Sequence, residues 1–223
     1  MLIEMERTER AESPPTRILL VRHGECAGNR EGRFRGRVDF PLNETGLAQA
    51  RALAGALKSV PLDRIFTSPL LRARQTADCL AEGRDLPVEV REGFTNVALG
   101  PWEGRLKEEI AQECPVEWSL WLHHPERLRL PQGETLGDVA RRALSNLDHL
   151  VRTYPGSTFA VVTHRTVLKP LLAACLGMAE PSFWRTHVET ASISRLRHTP
   201  RQGYCLTGLN DTHHLESFQS EWI

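Results

Sequence analysis

The chain alternates between two hydrophobic patterns. Short apolar runs typical of buried strands occupy residues 18–21, 64–67 and 159–163. Apolar residues at helical spacing occupy residues 45–59, 70–80, 136–151 and 167–176. Weaker strand patterns lie at 88–90, as an edge strand, and at 192–196 and 204–209. Strands that alternate with helices predict an α/β fold, a three-layer sandwich with a mostly parallel sheet and helices on both faces.

Two segments depart from this alternation. Residues 94–135 hold three tryptophans and several prolines, and we expect them to form a small helical lid over one end of the sheet. Residues 1–15 are polar and end in Ser-Pro-Pro, so we expect a mobile tail. The remainder, 16–223, has the length of a single domain.

Composition narrows the partners. The 223 residues include 28 basic and 28 acidic side chains, so no overall field attracts nucleic acid or an anionic membrane. No stretch has the length of a membrane span. The five cysteines form no C-x-x-C pair, which favours reduced thiols in a cytoplasmic protein. We expect a small-molecule substrate, with no nucleic acid and no membrane as partner. An exposed edge strand could pair two subunits, so a homodimer is one alternative for the oligomeric state.

Basic and histidine side chains follow three of the predicted strands. Arg22 and His23 follow the first, the segment from Ser68 to Arg72 follows the second, and His164 follows the third. Because ligands of open α/β sheets bind beyond the carboxyl ends of the strands, we expect these residues to meet at one edge. Taken singly, each could equally be a turn or surface residue, so the argument depends on their joint occurrence.

A phosphoryl group fits the chemistry of this set. Arg22 and Arg72 can hold its oxygens by charge-assisted hydrogen bonds. A neutral His23 can attack phosphorus in line, and His164 can donate to the oxygens where charge spreads in the transition state. Arg72 is expected in the first turn of a helix that Ser68 caps, where the backbone dipole also favours an anion. These cations make a metal or other cofactor unnecessary, so none is expected.

Six blocks of sequence extend this pattern and together resemble a known family. They are Leu20-Val21-Arg22-His23-Gly24-Glu25 with Asn29, the Gly32–Gly36 segment Gly-Arg-Phe-Arg-Gly, Ser68-Pro69-Leu70-Leu71-Arg72-Ala73, Gly100-Pro101-Trp102-Glu103-Gly104, Pro131-Gln132-Gly133-Glu134-Thr135 and Val161-Val162-Thr163-His164. The chain resembles the histidine phosphatase superfamily, in the branch of the cofactor-dependent phosphoglycerate mutases and related phosphatases. The resemblance runs from about residue 17 to the end.

The resemblance implies specific roles. His23 would be the nucleophile, and Arg22, Arg72 and His164 would form the phosphate pocket with it. Asn29 and the Gly36 backbone would contact the substrate. The activity implied is that of a metal-independent phosphomonoesterase that acts on a small phosphorylated metabolite through a phosphohistidine at His23.

One position departs from the family pattern. The family usually carries a glutamate four residues before the first glycine of the Gly-x-Trp-Glu-Gly block, as the general acid, and this chain has Asn96 there. An amide cannot supply a proton to the leaving oxygen. Glu92 or Glu103 could replace it, the substrate could have a good leaving group, or the protein could be weakly active or a non-catalytic phospho-ligand-binding protein.

Further charged residues bear on substrate choice. Arg165 stands where the family often has glycine and could contact phosphate or carboxylate, or lie on the surface. Arg105 and Lys107 could meet a second anionic group. The pairs at 123–124 and 213–214 are adjacent histidines, which do not share a helix face, so no metal site is expected. A phosphoglycerate-mutase-like phosphotransferase remains the alternative enzyme. The lid segment that leads to the block at residue 131 is short, however, and in this it resembles the phosphatases of the family and not the mutases.

Overall fold

The computed structural model describes residues 14–216, and within them six strands form one sheet. They are β1 (Thr16–Arg22), β2 (Arg64–Thr67), β3 (Val88–Val90), β4 (Thr158–Thr163), β5 (Ile193–Thr199) and β6 (Gly203–Asp211). Their order is β3-β2-β4-β1-β5-β6. The pairs from β3 to β1 are parallel, whereas β5 and β6 add an antiparallel edge. The predicted mostly parallel sheet is confirmed, with β3 at one edge.

Helices connect these strands. They are α1 (Ala27–Arg30), α2 (Glu44–Ala56), α3 (Leu71–Ala81), α4 (Lys107–Glu113), α5 (Pro115–His123), α6 (Leu136–Thr153) and α7 (Arg165–Leu176). Short 3-10 turns occur at Glu92–Phe94, Gly100–Trp102, Pro125–Arg127 and Phe183–Arg185. No helix within residues 14–216 is long and apolar enough to cross a bilayer. The tail expected at 1–15 lies outside the described residues except for its last two prolines.

Helices cover both faces of the sheet, as the alternate side chains of β1 show. Ile18 and Leu20 belong to an apolar cluster with residues of α6 and α7, whereas Leu19 and Val21 belong to a second cluster with residues of α2 and α3. Each fully buried aliphatic side chain of this kind stabilises the fold by about 1.5–3 kcal/mol. The three-layer sandwich is therefore confirmed.

The central strands end at a common edge. In the parallel register Arg22 lies beside Thr163, and Thr67 lies beside Val162. The residues that follow β1, β2 and β4 therefore emerge side by side, as the strand-end rule predicts. The prediction was wrong about the start of α3, because this helix begins at Leu71 and Ser68 precedes it in an extended turn.

The segment expected as a lid, 94–135, contains α4, α5 and two of the 3-10 turns that follow β3. Its tryptophans pack around the ring of Phe34. The centroid of that ring lies 4.8 Å from the ring centroid of Trp102, 6.1 Å from that of Trp118 and 5.4 Å from that of Trp121. Trp102 and Trp121 are almost fully buried. The buried aromatic residues of the lid therefore belong to the same apolar cluster as the α6 and α7 face of the sheet.

Candidate active site

His23 directly follows the last residue of β1, and one nitrogen of its ring is available for chemistry. Its backbone N–H donates to the Thr163 carbonyl at 3.0 Å, which holds it against the end of β4. Its Nδ1 lies 2.6 Å from the carbonyl oxygen of Gly24. Because a carbonyl can only accept, Nδ1 carries the proton and Nε2 carries the lone pair. This is the tautomer that a nucleophilic imidazole requires.

Electrostatics keep His23 neutral. Burial lowers its pKa well below the usual value, and the positive charges of Arg72, Arg22 and Arg35 lower it further. The pKa of His164 is also lowered well below its usual value by burial and by Arg72. Both imidazoles are therefore uncharged at neutral pH, so His23 keeps its lone pair available.

His164 lies directly beside His23, with the ring centroids 5.1 Å apart. Its Nε2 is 2.7 Å from the hydroxyl oxygen of Ser68, which also accepts the N–H of Leu70 at 3.3 Å. Its Nδ1 is buried and has no hydrogen-bond partner within residues 14–216. If Ser68 donates to Nε2, the Nδ1–H is directed to a ligand, as donation to a phosphoryl oxygen requires. Ser68 thus orients His164, whereas its predicted role was to cap a helix.

Arg22 and Arg72 are fully buried around the two histidines. One Nη of Arg22 donates to the Val188 carbonyl at 2.9 Å. The two Nη atoms of Arg72 donate to the carbonyls of Val38 and Gly36 at 2.9 and 3.0 Å. Burial lowers the pKa of Arg72 to about 10, which still leaves it charged at neutral pH. The two guanidinium groups are therefore fixed positive charges whose orientation the backbone sets.

A pocket opens above these groups. Its wall comprises His23, Arg33, Phe34, Arg35, Gly36, Asn96, Val97, Leu99, Lys107, Trp121, His164, Arg165 and Thr166. The structure therefore brings together His23, His164, Gly36, Asn96 and Arg165 among the residues proposed from sequence. Arg33, Arg35 and Thr166 had no predicted role in the site, although the first two belong to the Gly-Arg-Phe-Arg-Gly block.

Asn96 occupies this wall with its amide fully engaged. Its Nδ2 donates to the Gly36 carbonyl at 2.8 Å, and its Oδ1 accepts a hydrogen bond from the Thr166 hydroxyl. Since the Gly36 carbonyl can only accept, the orientation of the amide is defined by its partners. The surroundings of residue 96 are thus complementary to an amide, which provides one donor and one acceptor.

The loop that carries Asn96 is held by an ion pair between Arg142 and Glu134. Arg142 contacts both carboxylate oxygens of Glu134, at 2.8 and 3.0 Å, and also donates to the carbonyls of Gly93 and Asn96. The carboxylate in turn accepts the N–H of Ala98 at 3.0 Å. Burial opposes ionisation of Glu134, but the hydrogen bonds from Arg142 and Ala98 lower its pKa overall. The Pro-Gln-Gly-Glu-Thr block therefore stabilises, through Glu134, the loop that carries Asn96.

Two residues proposed as substrate contacts lie elsewhere. Arg105 does not line the pocket, because its guanidinium pairs with Glu113 at 2.6 Å and with Glu109 at 3.7 Å on the outside of α4. The contact of Arg105 with substrate therefore stays a prediction, and the lining of this pocket does not support it. The Oδ1 of Asn29 accepts from the N–H of Cys26 at 3.1 Å and from its thiol at 3.0 Å, so this atom organises the turn into α1.

The two carboxylates considered as replacements for the general acid also do not line the pocket. Glu92 accepts a hydrogen bond from the Thr95 hydroxyl at 3.1 Å. Glu103 packs against Gly36 and accepts the N–H of Leu99 at 2.9 Å. Glu103 thus lies next to the pocket wall, but its hydrogen bond to Leu99 keeps the carboxylate within its own loop.

The two buried histidines predict a specific pH dependence of stability. In the unfolded chain each titrates near 6.5, whereas in the folded protein each resists protonation. Below about pH 6.5 the unfolded state therefore binds more protons, and the free energy of unfolding falls by up to about 1.4 kcal/mol per pH unit for each histidine. We expect His23→Gln to reduce this slope between about pH 6.5 and pH 5.5, as measured by urea unfolding. The exposed His123→Gln is the control, and an unchanged slope in His23→Gln would contradict the buried neutral imidazole.

Comparison with known proteins agrees with this geometry. The chain is 33% identical over 205 residues to phosphoserine phosphatase 1 of Hydrogenobacter thermophilus, covering 92% of this chain and 97% of that protein. It is 32% identical to the adenosylcobalamin/alpha-ribazole phosphatase of Salmonella typhimurium, covering 81% of this chain and 89% of that one. The solved structure of Bacillus stearothermophilus YhfR superposes with a TM-score of 0.86 at 32% identity, covering 89% of this chain and 98% of that one.

The family itself follows from the whole length of the match. The sequence model of the histidine phosphatase superfamily (branch 1) matches residues 18–212, from within β1 to the residue after β6. This range contains both histidines, both buried arginines and the loop of Asn96. The chain therefore belongs to the histidine phosphatase superfamily, branch 1.

Proposed function

We propose that the protein is a metal-independent phosphomonoesterase that acts on a small phosphorylated metabolite through a phosphohistidine at His23. One observation carries the proposal: the Nδ1 of His23 is fixed as a donor to Gly24, which leaves an unprotonated Nε2 in a pocket of fixed cations. The two relatives named above are a phosphoserine phosphatase and an adenosylcobalamin/alpha-ribazole phosphatase, which supports a small phosphorylated metabolite as substrate.

The first step is attack on phosphorus. The lone pair on Nε2 of His23 forms the P–N bond while the bond from phosphorus to the leaving oxygen breaks. The electron pair of that bond stays on the leaving oxygen, which departs as an anion and takes a proton from water. Negative charge on the equatorial oxygens increases, and Arg22 and Arg72 compensate it electrostatically. The Nδ1–H of His164 donates to one of these oxygens. The Nδ1–H of His23 stays on the Gly24 carbonyl, which stabilises the cationic phosphoimidazole.

The second step is hydrolysis of the phosphohistidine. Water attacks phosphorus, the P–N bond breaks, and its electron pair returns to Nε2 of His23. The proton released by the water passes to a phosphoryl oxygen, so that phosphate leaves as the dihydrogen anion. Division of one difficult displacement into two easier ones is the advantage of a covalent intermediate.

A substrate panel in the presence of a chelator tests the proposal. We expect phosphate release from 4-nitrophenyl phosphate, and from at least one of phosphoserine, 3-phosphoglycerate and the sugar phosphates, with no dependence on added metal. Primer-dependent exchange of 3- and 2-phosphoglycerate without net phosphate release would favour the mutase alternative. Binding of these esters with no turnover would overturn the proposal and favour a phospho-ligand-binding protein.

A further inference from the structure

We propose that the best phosphoryl donors for this site are phosphoric anhydrides, in which the leaving group is itself a phosphate or a carboxylate oxyanion. The inference rests on the proposed phosphohistidine at His23, and it specifies what leaves when that bond forms. Two observations lead to it: within residues 14–216 the pocket wall contains no carboxylic acid that could protonate a leaving group, and four of its side chains are arginine or lysine.

The first observation concerns the proton. The residues of the wall within the described chain include neither aspartate nor glutamate. The carboxylates nearest in sequence are each committed to other contacts. Glu92 accepts from Thr95, Glu103 accepts from Leu99, and Glu134 is paired with Arg142. An alkoxide leaving group would therefore depart without a carboxylic acid beside it.

The amide at the expected acid position reinforces this reading. Asn96 donates to the Gly36 carbonyl and accepts from the Thr166 hydroxyl, so both ends of the amide are used. An ionised carboxylate of the same size would place an oxygen against the Gly36 carbonyl, which is repulsive. The backbone and Thr166 are thus arranged around a residue that cannot provide a proton.

The second observation concerns charge. Arg33, Arg35, Lys107 and Arg165 line the same pocket. The buried Arg22 and Arg72 do not line it, but their positive charges act on its two histidines. Arg33 also contacts Glu31 outside the pocket, and Arg165 is almost fully buried beside the ring of Trp184. One phosphoryl group is already served by Arg22, Arg72 and His164. The additional cations fit a second oxyanion next to the transferred phosphoryl group.

Both features are satisfied by one kind of leaving group. An alcohol has a pKa of about 15, close to that of water, so its oxygen needs a proton as it departs. A carboxyl group ionises at about 4, and a phosphate monoester has its second ionisation at about 6. These groups leave as stable anions at neutral pH, and the cations of the wall stabilise them as they form.

The proposed step balances without any added reagent. Nε2 of His23 forms a bond to phosphorus, and the bond between phosphorus and the bridging oxygen breaks. The electron pair of that bond stays on the bridging oxygen, which becomes part of a carboxylate or phosphate anion. Hydrolysis of the phosphohistidine then proceeds as described above, so the overall reaction consumes one water.

Two matched substrates test the leaving group. Acetyl phosphate and ethyl phosphate have nearly the same size, but one releases acetate and the other ethoxide. We expect kcat/KM of the full chain, assayed with a chelator, to favour acetyl phosphate by more than about 10,000-fold, and Asn96→Glu to reduce that ratio by about 100-fold or more. An unchanged ratio in Asn96→Glu, or a ratio below about tenfold in the natural sequence, would overturn the inference. So would a Glu103→Gln variant that loses ethyl phosphate turnover selectively.

The cationic wall is tested with pyrophosphate. We expect Lys107→Gln and Arg165→Gln to lower kcat/KM for pyrophosphate at least about tenfold more than for 4-nitrophenyl phosphate, because only the former carries a charged leaving group before reaction. Arg51→Gln, on the exposed surface of α2, is the control for loss of a positive charge. Equal effects on both substrates would contradict the second oxyanion site. Trapping of phosphohistidine in the same samples separates the two proposals: its presence with no anhydride preference overturns only this inference, and its absence overturns both.

Discussion

His23→Ala is expected to lower kcat/KM for every substrate of the protein by on the order of 10,000-fold or more. The variant lacks Nε2 of His23, the atom that we propose forms the bond to phosphorus. The neighbouring imidazole cannot substitute for it, because Nε2 of His164 is hydrogen-bonded to Ser68 and its Nδ1 carries the proton that is donated to a phosphoryl oxygen. Steady-state phosphate release from 4-nitrophenyl phosphate measures the loss.

The matched control is His123→Ala, the same change at an exposed position of α5. It is expected to retain the activity of the natural sequence. Circular dichroism and thermal unfolding of both variants establish that each is folded. If folded His23→Ala retained activity within about tenfold, the assignment of the nucleophile would be wrong.

Asn96→Glu is expected to raise kcat/KM for alkyl phosphates by about 100-fold or more, because a carboxylic acid beside the leaving oxygen contributes roughly 100- to 10,000-fold. Aryl phosphates release a stabilised anion, so they are expected to respond much less. The longer glutamate extends past the contacts that Asn96 makes with Gly36 and Thr166 and into the pocket. Measurement of ethyl phosphate and 4-nitrophenyl phosphate with the same enzyme preparation gives the comparison.

Asn96→Gln separates the proton from the geometry. Glutamine has the length of glutamate and disrupts the same contacts with Gly36 and Thr166, but it provides no acid. We expect it to give no selective gain on alkyl phosphates. If glutamine and glutamate acted alike, or if alkyl and aryl esters responded equally to glutamate, residue 96 would not be the general-acid position.

The sequence was sufficient to predict the edge of the sheet at which the site forms. Short segments rich in apolar residues define β1 and β4, and the pair Ile65-Phe66 marks β2. The parallel arrangement brings the residues after these strands together. Arg22, His23 and His164 therefore meet as predicted. The position of the site can be predicted because it depends on strand composition and on the order of strands and helices. It does not depend on individual side-chain contacts.

The contacts that tune the site could not be predicted in this way. Thr166 holds Asn96 across 70 residues of sequence, and Arg142 holds the loop of Asn96 from a separate helix. Spacing alone gives no signal for such pairs. Arg105 differs, because its spacing to Glu109 and Glu113 does carry a signal: residues four and eight positions apart lie on the same side of a helix, and both carboxylates pair with it there.

The start of α3 shows a second limit. Ser68 followed by proline is a strong pattern for a helix N-terminus, and Ser68 does accept the N–H of Leu70. The helix nevertheless begins at Leu71, and the Ser68 hydroxyl lies against His164. The local pattern was recognised correctly, but its function in the site depends on a residue 96 positions away.

Direct detection of phosphohistidine is the sharpest test of the mechanism proposed for His23. A donor labelled with radioactive phosphorus, acetyl phosphate or 4-nitrophenyl phosphate, is mixed with the enzyme and quenched in alkali, in which phosphohistidine survives. Peptide mapping then locates the label. We expect it on the peptide that contains His23, formed and lost at rates that account for turnover, and absent from His23→Ala. Phosphate release with no labelled protein, or with label on another residue, would contradict the phosphohistidine mechanism.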